Sequence, residues 1–233
     1  LGLITSLRTP QNTKIYARDG LAIVALVWVL MSVFGALPFV ISGEIPSFAD
    51  AFFETVSGFT TTGSTILTDV EALSHGTLFW RSFSHWIGGM GVLVFAMAVL
   101  PMTDGRAMHL MRAEVPGPTC GKISSKLSDS AKILYAIYFV MTVIEMILLC
   151  AGGMPLFDAL IHAFGTAGTG GFSNKALSVG AYNSPYFEIV IGVFMLLFGI
   201  NFNLYYFLLL RHFREAFASA EMRVYLGIVA FST

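Results

Sequence analysis

Two short stretches of this sequence place hydroxyl residues and glycine directly after an apolar, helix-periodic segment: Thr60-Thr61-Thr62-Gly63-Ser64 and Gly168-Thr169-Gly170-Gly171-Phe172. Side-chain chemistry is secondary in such stretches, and what they offer is main-chain oxygen. Glycine permits the left-handed or extended backbone that turns carbonyls inward, and cages of carbonyls can replace the hydration shell of a monovalent cation. The expected ligands are the backbone oxygens of Thr60, Thr61, Thr62, Gly63, Ser64, Gly168, Thr169, Gly170, Gly171 and Phe172. Thr61, Thr62, Thr169 and Gly170 are the positions expected to hold the ion itself.

Irregular backbone at membrane depth is tolerated only where it is buried in protein or lines a water-filled cavity, so the elements before these stretches must carry them there. Pro46 to Phe59 and Pro155 to Phe164 each show a helical apolar face of about a dozen residues. Such a helix reaches roughly half-way across a bilayer. A re-entrant half-helix fits. Entering from outside, it would direct its C-terminal end, about half a negative charge, towards the membrane centre, which favours a cation there. Asp50 and Asp158 would sit near the outer, positive ends, and Ser47 with Asp50 resembles a capping box.

The rest of the chain is built to hold such loops in lipid. Of its 233 residues 56% are apolar and only 12% charged, against roughly 25% charged in soluble domains. Four stretches fit a spanning helix of about 17–25 residues: 21–41, 77–100, 133–152 and 186–210. Eleven of the 13 basic residues fall before the first span, between the second and third, or after the fourth; Arg81 and Lys175 alone fall on the other side. The N-terminus and the middle loop are therefore expected to be cytoplasmic. The net charge of −1 gives no signal for nucleic acid. The apolar stretch near Thr233 is too short to span, so the chain is expected to be a fragment of a longer protein.

A shift of 108 positions overlays the two halves: Asp50-Ala51 on Asp158-Ala159, Thr61 on Thr169, Gly63 on Gly171, and each span on its counterpart. The expected fold is an all-α membrane protein with two tandem, parallel helix–pore-loop–helix repeats, K+-channel-like. Its divisions are a cytoplasmic flank (1–20), a first repeat (21–101), a cytoplasmic linker (102–130), a second repeat (131–212), and a cytoplasmic segment with the truncated start of a third repeat (213–233). A K+ filter takes four such loops, and this chain supplies two.

Arg18-Asp-Gly20, Phe34-Gly-Ala-Leu-Pro38, Asp50-Ala-Phe-Phe-Glu54, Ser57-Gly-Phe-Thr-Thr-Thr-Gly63 and the run His162 to Ser173 resemble the Trk/Ktr/HKT superfamily of K+ transporters, closest to the bacterial TrkH-type pore subunits. The resemblance covers nearly the whole chain, as the N-terminal two of four repeats. It implies K+ uptake at the cell (inner) membrane, side-by-side homodimers with one pore per chain, and a cytoplasmic ring of nucleotide-binding regulatory subunits. It also implies that glycine at positions 63 and 171 goes with K+ selectivity. The family's gating loop and a pore-lining arginine would lie beyond Thr233, so an inactive fragment, or an accessory subunit needing a partner to complete the pore, is the alternative.

The remaining polar residues carry blander expectations. Glu145 in the third span should face a partner, either a structural hydrogen bond or a functional group. Asn201 and Asn203 should bridge helices. Gly88, Gly89, Gly91 and Gly199 should allow close packing or a kink. His162 matches Glu54 in the repeat and reads as a packing histidine; His75, His85, His109 and His212 have no metal-ligand spacing. Trp80 with Arg81 fits an outer interface anchor. Cys120 and Cys150 have no redox or metal spacing, and no cofactor beyond the transported ion is expected. The chain has no Gly-x-Ser-x-Gly, no His-Glu-x-x-His and no paired aspartates within spans, so it is not expected to be an enzyme.

Overall fold

The computed structural model describes residues 17–91, 127–209 and 220–232. Residues 1–16 of the basic N-terminal flank and the side chain of Arg18, most of the middle loop with Cys120 and His109, residues 92–100 of the expected second span, Arg211, His212 and Arg214, and the side chain of Asn203 lie outside the described residues.

The described residues are helical, without a strand: α1 (Ala17–Ser42), α2 (Phe48–Phe59), α3 (His75–Gly89), α4 (Leu127–Ala151), α5 (Leu156–Ala167), a 3-10 turn (Ser178–Tyr182), α6 (Pro185–Phe198), α7 (Phe202–Leu209) and α8 (Ala220–Ser232). Among the described residues, two helices are long and apolar enough to cross a membrane, over Ala22–Ser42 and Ala131–Ala151. Only about a third of either stretch is buried. Leu26, Val29, Leu30, Phe34 and Ile41 stand exposed along α1, and Val140, Ile144 and Ile147 along α4. In water so continuous an apolar surface is a liability, whereas in lipid it is the solvated face. Pro38 sits inside α1 without ending it, as membrane helices tolerate.

Two short helices form at the segments where half-helices are expected, and their boundaries differ by the 108-residue shift at both ends. Each has 12 residues, about 18 Å of helix. Ser47 caps α2, its hydroxyl accepting from the Asp50 amide at 3.4 Å. Pro155 at the equivalent place offers no such cap. There the acid in the first turn is anchored instead, since Asp158 accepts hydrogen bonds from Asn174 Nδ2 at 2.6 Å and Tyr182 Oη at 2.7 Å. That ties the start of α5 to the loop beyond it. Asp158→Ala is expected to cost about 2 kcal/mol, because hydrogen bonds to a charged group are lost; a lower Tm of the detergent-solubilised protein is the readout.

The expected span 186–210 is not continuous: α6 stops at Phe198 and α7 resumes at Phe202. α8 packs into the break. Tyr225 Oη donates to the Leu196 carbonyl at 2.8 Å and would lie 2.6 Å from a Cβ on Gly199. Asn201 Nδ2 donates to Glu221 at 3.2 Å, so Asn201 bridges helices as expected. The packing is possible because residue 199 has no side chain.

α1 packs on α2 and α3, α4 on α5, α6 and α7, and α5 on α6; α3 also packs on α5, joining the two halves. The main core cluster gathers Phe59, Trp86, Ile87, Tyr138, Ala167 and Phe198. It contains the last residues of both half-helices. Gly88 and Gly89 let α3 reach them. A Cβ on Gly88 would overlap the Phe59 carbonyl, and one on Gly89 would lie 2.9 Å from Gly168 Cα. Cys150 is a free, half-buried thiol packed at the edge of a second cluster.

Candidate ion site

The two glycine-bearing stretches follow directly on the C-terminal ends of α2 and α5 and lie against each other. A Cβ on Gly63 would overlap the Gly170 carbonyl oxygen, and one on Gly170 would stand 2.6 Å from the Thr61 carbonyl oxygen. Both strands leave their helices in the same way. The Thr60 and Gly168 amides donate to Val56 and Phe164, and the Thr61 and Thr169 amides to Gly58 and Thr166, all at 2.8–3.0 Å.

Their backbone is unusual in a repeated way. Thr61 and Thr169 have φ of 56° and 59°, and Gly63 and Gly171 have 75° and 80°. Thr62, Ser64, Gly170 and Phe172 between and after them have negative φ. A β-branched residue in the left-handed region is a real outlier, costing about 1–3 kcal/mol. Two of them at equivalent positions point to a required backbone shape. The alternating sign of φ sets both stretches apart from an extended strand, in which every φ is negative. Among the described residues, no N–H or O–H donates to the carbonyls of Thr60–Gly63 or Gly168–Phe172. The Ser64 carbonyl accepts from Ser57 Oγ at 2.5 Å.

Exposure separates the strands. Thr60, Thr62 and Ser64 are exposed, with Thr61 and Gly63 partly covered; Thr169 and Gly171 are exposed, while Gly168 and Phe172 are buried. Outside the strands the two loops are tied together, Glu71 accepting from Lys175 Nζ at 3.3 Å and the Ala176 amide at 3.2 Å. The Ala176 amide, then Lys175, hold the Glu71 carboxyl below its ordinary value of 4.5. Because the folded value is the lower one, this contact is fully formed above pH 4.5 and is lost as pH falls through that lower value. A smaller hydrogen-exchange protection factor at the Ala176 amide on acidification below pH 4.5, with the protection factor unchanged around neutral pH, is expected.

Behind the strands stands a buried polar cluster that sequence reasoning did not single out. Arg81 is 3% exposed, so it is no interface anchor. Trp80 is partly exposed, and its indole N–H donates to the Gly35 carbonyl of α1 at 2.9 Å. Arg81 Nε pairs with Glu54 Oε1 at 2.5 Å, Nη1 donates to the Ser173 carbonyl at 3.1 Å, and the guanidinium lies 3.6 Å over the Phe172 ring. Glu54 also accepts from Thr65 Oγ1 at 2.9 Å and the Ile66 amide at 3.0 Å. His162, its equivalent, is a packing histidine, with Nε2 3.5 Å from Ser173 Oγ and its ring edge-on to Tyr182. His85 is fully buried against the Phe172 ring at 4.7 Å, and neither ring nitrogen has a hydrogen-bond partner among the described residues. The missed signal was legible: Arg81 and His85 stand four apart on an apolar helix, where polar residues must meet partners.

Glu145 faces the interior alongside Thr166, fully buried, and no well-formed hydrogen bond reaches its carboxylate among the described residues. Of the two roles expected for it, a structural hydrogen bond and a functional group, the first has only the adjacent Thr166 hydroxyl to draw on among the described residues.

These features define a helical membrane protein whose distinctive chemistry is paired, strained, oxygen-bearing backbone. Residues 2–231 match the family model of TrkH, described as a cation transport protein. The Trk system potassium uptake protein TrkH of Salmonella typhimurium is 41% identical over 222 residues, covering 94% of this chain and 46% of that protein. TrkI of Halomonas elongata, also a Trk system potassium uptake protein, is 35% identical over 88% of the chain and 41% of its own length. The crystal structure of the potassium transporter TrkH from Vibrio parahaemolyticus superposes with a TM-score of 0.71 at 33% identity, covering 88% of this chain and 41% of that one. The chain belongs to the TrkH family of cation transport proteins, and it spans about half the length of these relatives.

Proposed function

We propose that this chain contributes two of the four strands of a K+ filter and serves transmembrane K+ uptake. The observation that carries the reading is the pair of touching strands with the same alternation of φ and unclaimed carbonyls. The carbonyls of Thr60–Ser64 and Gly168–Phe172 stand in for the water K+ gives up, with Thr61, Thr62, Thr169 and Gly170 at the ion. The half-helix C-termini add partial negative charge beside them.

In this reading the chain carries two parallel helix–half-helix–helix repeats, arranged as in a K+ channel, with α8 opening a third. The N-terminus and the middle loop are cytoplasmic and the protein sits in the inner membrane. It pairs as a homodimer in contact with lipid, and a nucleotide-binding regulatory subunit docks on the cytoplasmic side. Since the chain spans 46% of its relative from Salmonella, a second reading is an accessory or inactive segment that needs a partner to complete the pore.

Radiolabelled Rb+ uptake into proteoliposomes tests this, alongside growth of a K+-uptake-deficient bacterium at low K+. Uptake by the 233-residue chain supports an autonomous pore. No uptake from well-folded chain, with growth restored when the gene is expressed in its natural context, supports the partner-requiring reading. Failure of both assays overturns K+ transport.

A further inference from the structure

The second filter strand is held by a helix of the other repeat. Along α3, residues 81, 85, 88 and 89 share one face at helical spacing. Arg81, His85, Gly88 and Gly89 make that face polar and small on a helix otherwise rich in aromatic and aliphatic residues. A polar stripe in lipid persists when it meets partners, and here it meets the strand 168–173. A Cβ on Gly168 or on Gly170 would overlap the His85 ring. The same ring packs on Phe172, over which the Arg81 guanidinium also lies. Arg81 Nη1 then holds the Ser173 carbonyl. Residues 168, 170 and 172 thus turn towards α3, while Thr169 and Gly171 between them are exposed on the far side.

The arrangement is one-sided. The 108-residue shift that superimposes the half-helices puts Ile189 in place of Arg81 and Val193 in place of His85, and both are exposed. Scaffolding common to both units would recur in both, and this cluster does not. Its chemistry also suits positioning. One guanidinium fork binds Glu54, on the half-helix of the first unit, and Ser173, at the end of the second strand. A rigid planar group thus links the first half-helix to the residue that ends the second strand, a geometry that a lysine ammonium does not reproduce. His85 backs the backbone of Gly168 and Gly170, which with Thr169 carry oxygens of the proposed ion path.

We infer that Arg81 and His85 are specificity-positioning residues, fixing the second filter strand against the first and thereby setting the preference for K+ over Na+. The inference rests on the K+-transport reading. The experiment measures K+ uptake and its inhibition by Na+ in cells carrying the intact transporter, with membrane accumulation checked by size-exclusion profile. Arg81→Lys and His85→Gln are the variants. Each is expected to accumulate and to carry K+, with K+ over Na+ preference reduced about tenfold, a change of about 1.4 kcal/mol. Absence of K+ uptake in the unaltered protein would defeat the transport reading itself. With wild-type uptake intact, variants that accumulate and keep the wild-type preference overturn the inference. If Arg81→Lys fails to accumulate, His85→Gln decides by the same ratio. Loss of both variants from the membrane assigns the pair to folding alone and also overturns it.

Discussion

Replacing Gly63 by serine is expected to reduce K+ over Na+ preference by at least about tenfold, while leaving the protein in the membrane. Two effects act together. Gly63 has φ of 75°, a region in which an L side chain costs about 1–2 kcal/mol. The added Cβ would also overlap the Gly170 carbonyl oxygen. Relieving that to an ordinary carbon–oxygen approach, about 3.3 Å or more, displaces the second strand by about an ångström. The first effect weakens folding slightly, whereas the second moves oxygens of the proposed cage. Gly171→Ala separates the two, because Gly171 has nearly the same φ, 80°, but a Cβ there meets no atom within 4 Å. It should show the strain without the displacement: somewhat lower Tm and near-normal ion preference. Competition of Na+ with K+ uptake reads both variants. Equal ion ratios in Gly63→Ser and wild type would remove the strand contact from the account of selectivity.

Glu54→Ala is expected to be the most damaging single change to stability, at about 3–5 kcal/mol, because it leaves a buried charge without its counter-ion. Arg81 is 3% exposed and Glu54 1%, so water cannot take over. The carboxylate also receives the Thr65 hydroxyl and the Ile66 amide, and these would lose their acceptor. The prediction is loss of most protein from the membrane fraction, or aggregation in detergent. Arg81→Met in the same chain should restore part of the loss, since an apolar replacement of both partners is tolerated better than an orphaned charge. A double variant no more stable than Glu54→Ala would mean that the Arg81 charge is not what makes the single change costly.

Much of this was legible in the sequence, for reasons that particular residues make clear. The half-helices were readable because apolar periodicity, an outer acid and a following glycine recur 108 residues apart, and α2 and α5 keep that spacing at both ends. Gly88 and Gly89 were readable as close-packing positions, since residues without side chains on an apolar helix leave little else to do. The break in the fourth expected span was readable only in part. Gly199, Asn201 and Asn203 interrupt the apolar run and Gly199 was expected to allow a kink, but nothing local signals that Tyr225, far along the chain, comes to lie against Gly199. The role of Arg81 was misread for a related reason. An arginine beside a tryptophan near a span's end is a common interface signature, and only the fold shows that Glu54 and the Ser173 carbonyl wait for it. The four-residue spacing of Arg81 and His85 signals that partners exist, but not which distant residues they are.

The central claim is that main-chain oxygens of the two strands hold the transported ion. Diffraction from crystals of the intact transporter grown with Tl+, a strongly scattering K+ surrogate, tests it most directly. The account predicts anomalous peaks within ligand distance of the carbonyls of Thr61, Thr62, Thr169 and Gly170, lost when Na+ replaces Tl+. Ordered Tl+ elsewhere in the protein, with those four oxygens turned away from any ion, would contradict it.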